Sequence, residues 1–389
     1  MAEERSWQRQ EDRTTWRPVD PMRHHREKGW DYRGRAIYHF TMPVEGRYPL
    51  FGTLEGESAE TAFVRLNAFG RRVCEMLSGL AQFYKGKGYA LKVLAQMVMP
   101  DHVHLVIQVL EPLPQSIGAV VRGFKSGCTK VYKEEFYGNS GENTAGVHGD
   151  VPVHFARIFA GRGSIWQQDA AYYHERILHA PGQLRRMIDY VKDNPRRLWL
   201  KSHNPDLFKL HRRTEAAGLS FTSMGNHFLL HWPDSQTVEM SRSATSEQIQ
   251  ARLRAVLAAA HSGTVTYTGA ISKGEQFIAR CVREQGYPLV VLLNDGFPKE
   301  GSPHERYYKP GGVYFEACSR GRLLLLEPTE EAFLDASIQR AVEEALRRKA
   351  EERHYCYTPI PTTSQRYRFM ALNEMAKRLA SQTCNKTPE

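Results

Sequence analysis

The sequence predicts an α+β protein of two domains, an antiparallel-sheet domain followed by an α/β domain. Three observations point there. At 389 residues the chain is longer than one hydrophobic core ordinarily organises. Its first half reads strand, helix, strand, strand, helix, an order that suits an antiparallel sheet with helices on one face. After about residue 206 the pattern becomes strand, tight turn, helix, strand, a βαβ unit that calls for parallel pairing.

Residues 1–33, rich in Arg, Glu, Trp and His and without a period, read as a basic, polar tail. The first domain is expected over 34–205. It opens on the strand Ala36–Val44 and continues with apolar residues at helical spacing from Thr61 to Tyr84. Two strands, Ala90–Met99 and His102–Leu110, flank the turn Pro100-Asp101. Leu113–Phe136 reads as an amphipathic helix and Gly138–Gly163 as a loop insertion. Pro181–Leu198 is a further helix, broken near Pro195. Residues 206–220 are polar and basic and read as a linker. The second domain, 221–389, starts with short strands at HFLLHW and TVEMSRS, then a helix from Ser246 to Ala260. The βαβ unit follows, then the buried strand Arg322–Pro328 and helices over Glu330–Arg353 and Phe369–Ala380.

A formal net charge of +10 and a pI near 9.2 favour polyanionic partners such as nucleic acid or anionic membrane surfaces. No window approaches the eighteen or so unbroken apolar residues of a membrane helix, so no membrane partner is expected. The first twenty residues lack the apolar core of a signal peptide. The six cysteines form no CxxC pair. Together these lead to the expectation of a reduced, cytoplasmic protein without structural zinc.

Chemistry enters at MPDHVHLVIQV, Met99–Val109. In a strand, residues two apart point the same way, so His102 and His104 share one face while Val103 and Leu105 take the other. Two imidazoles on one rigid face can ligate a divalent cation, although a bare HxH more often marks partly exposed histidines. Downstream, Tyr190 and Asn194 stand four apart on a helix and share its face. Tyr172 and Tyr173 are rival nucleophiles; Asp193, Asp101 and Gln96 are weaker candidate ligands.

PDHVHLV resembles the metal-binding signature of the HUH superfamily, and IDYVKDNP (Ile188–Pro195) resembles the Y-I-x-x-N-P segment of REP-associated tyrosine transposases, a single-tyrosine branch of it. IWQQDAAYYHERIL (Ile165–Leu178) is similar to the lead-in to that helix, and AIYHFTMPVEGRYPLFG to the opening strand and turn. The resemblance spans roughly residues 30–205. It implies a ferredoxin-like HUH domain with Tyr190 as nucleophile and His102, His104 and Asn194 as ligands to Mg²⁺ or Mn²⁺. It further implies nicking and rejoining of single-stranded, hairpin-bearing DNA through a 5′-phosphotyrosine, carried out by a homodimer. The long insertion and the charged N-terminal extension depart from the family pattern. Two other readings stay open: a domesticated module that binds hairpin DNA without moving it, and a DNA-processing or defence factor led by the second domain.

Lys125, Lys130, Lys133, Arg185, Arg186, Arg196 and Arg197 are candidate contacts to the DNA backbone, each also at home on a solvated helix face. In the second domain, GAISKGE (Gly269–Glu275) sits between a strand and a helix, so its amides could bind an anion. Ser272, Lys273, Gly274 and Glu275 would line that site. The alternative is an ordinary capping box, Ser272 with Glu275 three residues on. No Gly-Lys-Ser/Thr ending or full GxGxxG is present, so nucleotide hydrolysis is not indicated. The segment from Ser272 to Phe297 and that from Lys309 to Pro328 loosely resemble Rossmann-like proteins of the DNA-processing protein A and lysine-decarboxylase-like group. Gly311 and Gly312 could equally make a turn.

Overall fold

The computed structural model describes residues 27, 29–137, 164–167, 174–298, 312–352 and 354–384. The N-terminal tail over 1–26, the insertion Gly138–Gly163, Tyr172, Tyr173 and Gly311 lie outside the described residues. The chain divides into two compact units, one ending at His203 and the other running from Asn204.

In the first unit, β1 (Ala36–Pro43) sits in a four-stranded sheet with β4 (Leu91–Val98), β5 (His102–Val109) and β6 (His174–Ile177). The order is β4-β5-β1-β6 and every pairing is antiparallel. Alternation along β1 sends Tyr38, Phe40 and Met42 into one core, and along β5 it sends Val103, Leu105 and Ile107 there too. Three helices cover that face: α1 (Ala68–Ser78), α2 (Leu80–Lys85) and α3 (Ile117–Val131). The other face is not bare, as the expected one-sided packing would have it. Helix α4 (Gln183–Lys192) lays Met187 and Val191 against Val106, with Ile37, Ala95 and Met97 around them. Helix α5 (Asn194–His203) follows after Asp193, so the break falls two residues before Pro195, which lies within the first turn of α5.

The helical reading of Thr61–Tyr84 fails at its start. Gly52–Glu55 (β2) and Phe63–Leu66 (β3) pair as a hairpin, and the helix begins only after Asn67, whose side chain accepts from the Gly70 amide. Gly70 is required there: a Cβ would stand 1.9 Å from the carbonyl oxygen of Phe51. The apolar period of the window held, but strand pairing claimed its first residues.

In the second unit the residues expected as a linker are ordered. They form α6 (Pro205–Phe208) and β7 (His211–Ala216), which pairs with β8 (Leu219–Gly225). HFLLH is a 3-10 turn, not a strand; the strand is β9, Ser235–Thr237. Then come α7 (Ser246–His261), β10 (Val265–Thr268), α8 (Lys273–Glu284), β11 (Leu289–Leu292), α9 (Gly312–Ser319) and β12 (Leu323–Pro328). The sheet order is β7-β8-β12-β11-β10-β9, with β9 to β12 parallel and β8 antiparallel to β12. β10 and β11 are buried along their whole length, as central parallel strands must be when both faces are covered. One cover is made by α11 (Ala336–Glu352) and α12 (Gln365–Cys384), after the short α10 (Glu330–Phe333). The parallel strands follow one another in chain order. A doubly wound Rossmann sheet instead reverses its order at a switch point, where its ligand crevice opens. Among the described residues no such reversal occurs, and the sheet is a mixed one with a parallel core.

Candidate active site

The first unit gathers its polar side chains on the sheet face under α4. Register puts His104 opposite Thr41 of β1 and Met97 of β4, with His102 opposite Pro43. Val103, between them, is fully buried on the reverse face, which anchors the strand and fixes the histidines' direction. His104 is 1% exposed, and the His102 side chain is 13% exposed.

Their Nε2 atoms face each other at 3.0 Å, with the rings 89° apart. Such a pair coexists in two ways: one nitrogen donates a proton to the other, or both offer lone pairs to one cation. On the His102 side the arrangement is set. Asp101 Oδ1 lies 2.5 Å from His102 Nδ1, which draws the proton to Nδ1 and leaves Nε2 a lone pair. Arg47 Nη1, 3.4 Å from the other Asp101 oxygen, braces that carboxylate. Asp101 is thus a partner of a candidate ligand, not a ligand itself. A separation of 3.0 Å also matches neighbouring ligands around one ion with bonds of about 2.1 Å. These two nitrogens are compatible with a divalent metal and by themselves supply two of its ligands.

Tyr190 is half-buried on α4, its ring centre 5.6 Å from that of His104 and nearly perpendicular to it. The helix places it there by packing Met187 and Val191 on the sheet. Asn194 is buried, and its Nδ2 donates to the Tyr190 carbonyl at 2.7 Å. That bond ties α5 back onto α4 and uses the amide nitrogen, so Oδ1 is the atom left for a ligand role. Asn194 makes no hydrogen bond to either histidine among the described residues. No group of three or more His, Cys, Asp or Glu side chains among them is arranged to hold a metal. A third ligand would have to be of another kind. Gln96 is excluded by register: it pairs with Leu105, on the opposite face from His104. Asp193 is engaged by Arg196, at 2.8 Å.

The structure adds a residue that the sequence reading passed over. His39 of β1 is 7% exposed, and its Nε2 lies 3.1 Å from His104 Nδ1 with the two rings stacked. Its ring also meets that of Tyr190 edge-on, 6.2 Å between centres. The signal was in the strand pattern, where Ile37, His39 and Thr41 alternate with the buried Tyr38, Phe40 and Met42.

The expected DNA-contacting cations separate into groups. Lys130, Lys133, Arg185 and Arg186 are exposed, with Lys130 near Glu134 and Arg185 bonded to Asp189. Arg197 lies over the Tyr190 ring, its guanidinium carbon 5.3 Å from the centre. Lys125 corrects its prediction. It is 3% exposed, and burial pushes its amine down to about 7, so it cannot reach a phosphate from there.

In the second unit the turn before α8 is already filled. Glu275 Oε2 accepts from the amides of Ile271 (2.6 Å) and Ser272 (3.1 Å), and Oε1 accepts from that of Met240 (2.9 Å). Ser272 Oγ in turn accepts from the Glu275 amide at 3.1 Å, closing a capping box. Ser272, Gly274 and Glu275 are buried. Of the two readings of Ser272, Lys273, Gly274 and Glu275, the capping box is formed, and the Glu275 carboxylate is taken up by the Ile271, Ser272 and Met240 amides.

Comparison with known proteins adds little to this geometry. No protein-family model matches the chain, and no curated protein matches it. Among solved structures, a REP-associated tyrosine transposase bound to a REP hairpin is similar, at 15% identity and a TM-score of 0.24. The match covers 44% of this chain and 72% of that one. A candidate transposase from Deinococcus radiodurans r1 is similar at 16% identity and a TM-score of 0.24, over 44% of this chain and 96% of that one. No helix among the described residues is long and apolar enough to cross a membrane.

Proposed function

We propose that the first unit is a DNA nicking and strand-joining enzyme of the single-tyrosine type. The observation that carries this reading is the convergence of the His102 and His104 Nε2 atoms beside the ring of Tyr190. His102, His104 and Asn194 would hold Mg²⁺ or Mn²⁺, with Asp101 orienting His102. When bound, the metal supplies a Lewis acid that polarises the scissile phosphate. Tyr190 Oη attacks phosphorus and the bond to the 3′ oxygen breaks, giving a 5′-phosphotyrosine and a free 3′-OH. A 3′-OH then attacks the phosphotyrosine and releases Tyr190, so joining needs no nucleotide. The phenol gives up its proton in the first step and regains one in the second. Helix α4 holds the ring against His104 throughout. The substrate is single-stranded DNA beside a hairpin, with Lys130, Lys133, Arg185 and Arg186 contributing backbone charge and the protein acting as a homodimer.

The test is incubation of purified protein with hairpin-bearing single-stranded oligonucleotides and Mg²⁺ or Mn²⁺. A denaturation-stable protein–DNA adduct that disappears in Tyr190→Phe supports the reading. Binding without any adduct would favour a hairpin-binding module instead.

A further inference from the structure

We infer that His39 is a positioning residue for the metal site, a buried partner that accepts from His104 Nδ1 in the arrangement that leaves His104 Nε2 open to a cation. The inference rests on the metal reading of His102 and His104. His104 Nδ1 has two neighbours, His39 Nε2 at 3.1 Å and Thr41 Oγ1 at 3.0 Å. With His102 Nδ1 protonated against Asp101, and Thr41 Oγ1 able to donate to or accept from His104 Nδ1 in either case, two arrangements of hydrogen use the His39–His104 contact. In one, His39 Nε2 donates to His104 Nδ1, and His104 Nε2 donates to the lone pair of His102 Nε2. In the other, His104 Nδ1 donates to His39 Nε2, and both Nε2 lone pairs of His102 and His104 face the same point. The first is self-contained without a cation; the second is the one that can receive it. Conversion moves protons between nitrogens of neutral rings with no change in their number, and no heavy atom has to shift.

The end groups of the row differ in what they permit. A carboxylate such as Asp101 only accepts, so it holds His102 in one tautomer. A neutral imidazole accepts at one nitrogen and donates at the other, so His39 serves either arrangement by exchanging its own tautomer. Its burial keeps water from taking over that role, and its stacking on His104 and edge contact with Tyr190 hold all three rings in one packed group. Partners of this kind are worth about 10- to 100-fold in metal affinity where they orient a ligating histidine.

The experiment is Mn²⁺ binding to the full chain by calorimetry, with paramagnetic resonance of free Mn²⁺ as a check. Thermal melts of the metal-free proteins run alongside. His39→Phe keeps a stacked ring but has no nitrogen to offer; His39→Gln keeps a group that both accepts and donates. The expected result is binding by the wild type that His102→Ala abolishes, a dissociation constant about 10- to 100-fold weaker in His39→Phe, and substantial recovery in His39→Gln. The metal-free melting temperature of His39→Phe stays at or above that of the wild type. Should the phenyl ring not fit, His39→Leu carries the same expectation. Equal Mn²⁺ affinity in the wild type and His39→Phe overturns the role of His39 while leaving the metal site standing. Absence of His102-dependent binding in the wild type overturns the metal reading and this inference with it.

Discussion

In the first unit the polar atoms of His102 and His104 turn toward one point beside Tyr190; in the second, those of Ser272 and Glu275 turn inward onto backbone amides. Both clusters announce themselves in the sequence as short motifs next to a strand. Where they differ is in what remains to be satisfied. The Glu275 carboxylate, 1% exposed, accepts three amide protons and leaves nothing for a ligand. The paired imidazoles satisfy each other only if one of them gives up its lone pair, and the fold brings the ring of Tyr190 beside them. A polar motif is scaffold when its own chain completes it and a candidate site when it does not.

That contrast can be broken by substitution. The largest effect is expected at Tyr190: Tyr190→Phe removes the attacking oxygen and should abolish the covalent adduct, read on a denaturing gel. His104→Ala, or chelation of the metal, should slow adduct formation by at least about 100-fold, or ~3 kcal/mol of barrier, measured as an initial rate. At Glu275 the expected loss is of stability, not chemistry. Glu275→Ala orphans three amides, that of Ser272 buried and those of Ile271 and Met240 partly so, and should cost about 2–4 kcal/mol in denaturant unfolding, with the adduct rate at 25 °C unchanged.

Glu275 also predicts a pH effect. Burial, the largest influence, holds its carboxyl above the ordinary range against the pull of the amides. The native state therefore binds that proton more tightly than the unfolded chain. Stability should fall as pH rises from the ordinary carboxylate range through the raised value, and Glu275→Gln should flatten that portion of the profile. The smallest effects concern the cations. Arg186→Gln should lower the salt slope of DNA binding by about 1, whereas Lys125→Gln, buried away from solvent, should leave that slope unaltered.

Local pattern made the main site legible in part. The period of two in β5 placed His102 and His104 on one face; the helical spacing of Tyr190 and Asn194 was legible too, but the chain breaks at Asp193 and Asn194 opens α5. His39 escaped because its contact with His104 exists only through pairing of β1 with β5, 65 residues apart in sequence. Lys125 was misread as solvated although it falls on the stripe that Val121, Phe124 and Cys128 bury. The hairpin β2–β3 was missed because Phe63 to Leu66 also fit the apolar spacing of the helix that follows. The capping box at Ser272 was visible as a pattern, but only the Met240 amide, from 35 residues upstream, shows that Glu275 is fully committed.

The most direct test of the nicking account is to digest the covalent protein–DNA adduct and locate the modified peptide by mass spectrometry. The account predicts a phosphodiester on Tyr190, in the peptide around Ile188–Pro195. Modification of Tyr172 or Tyr173 instead, or no adduct on any hairpin-bearing strand with Mg²⁺ or Mn²⁺, would contradict it.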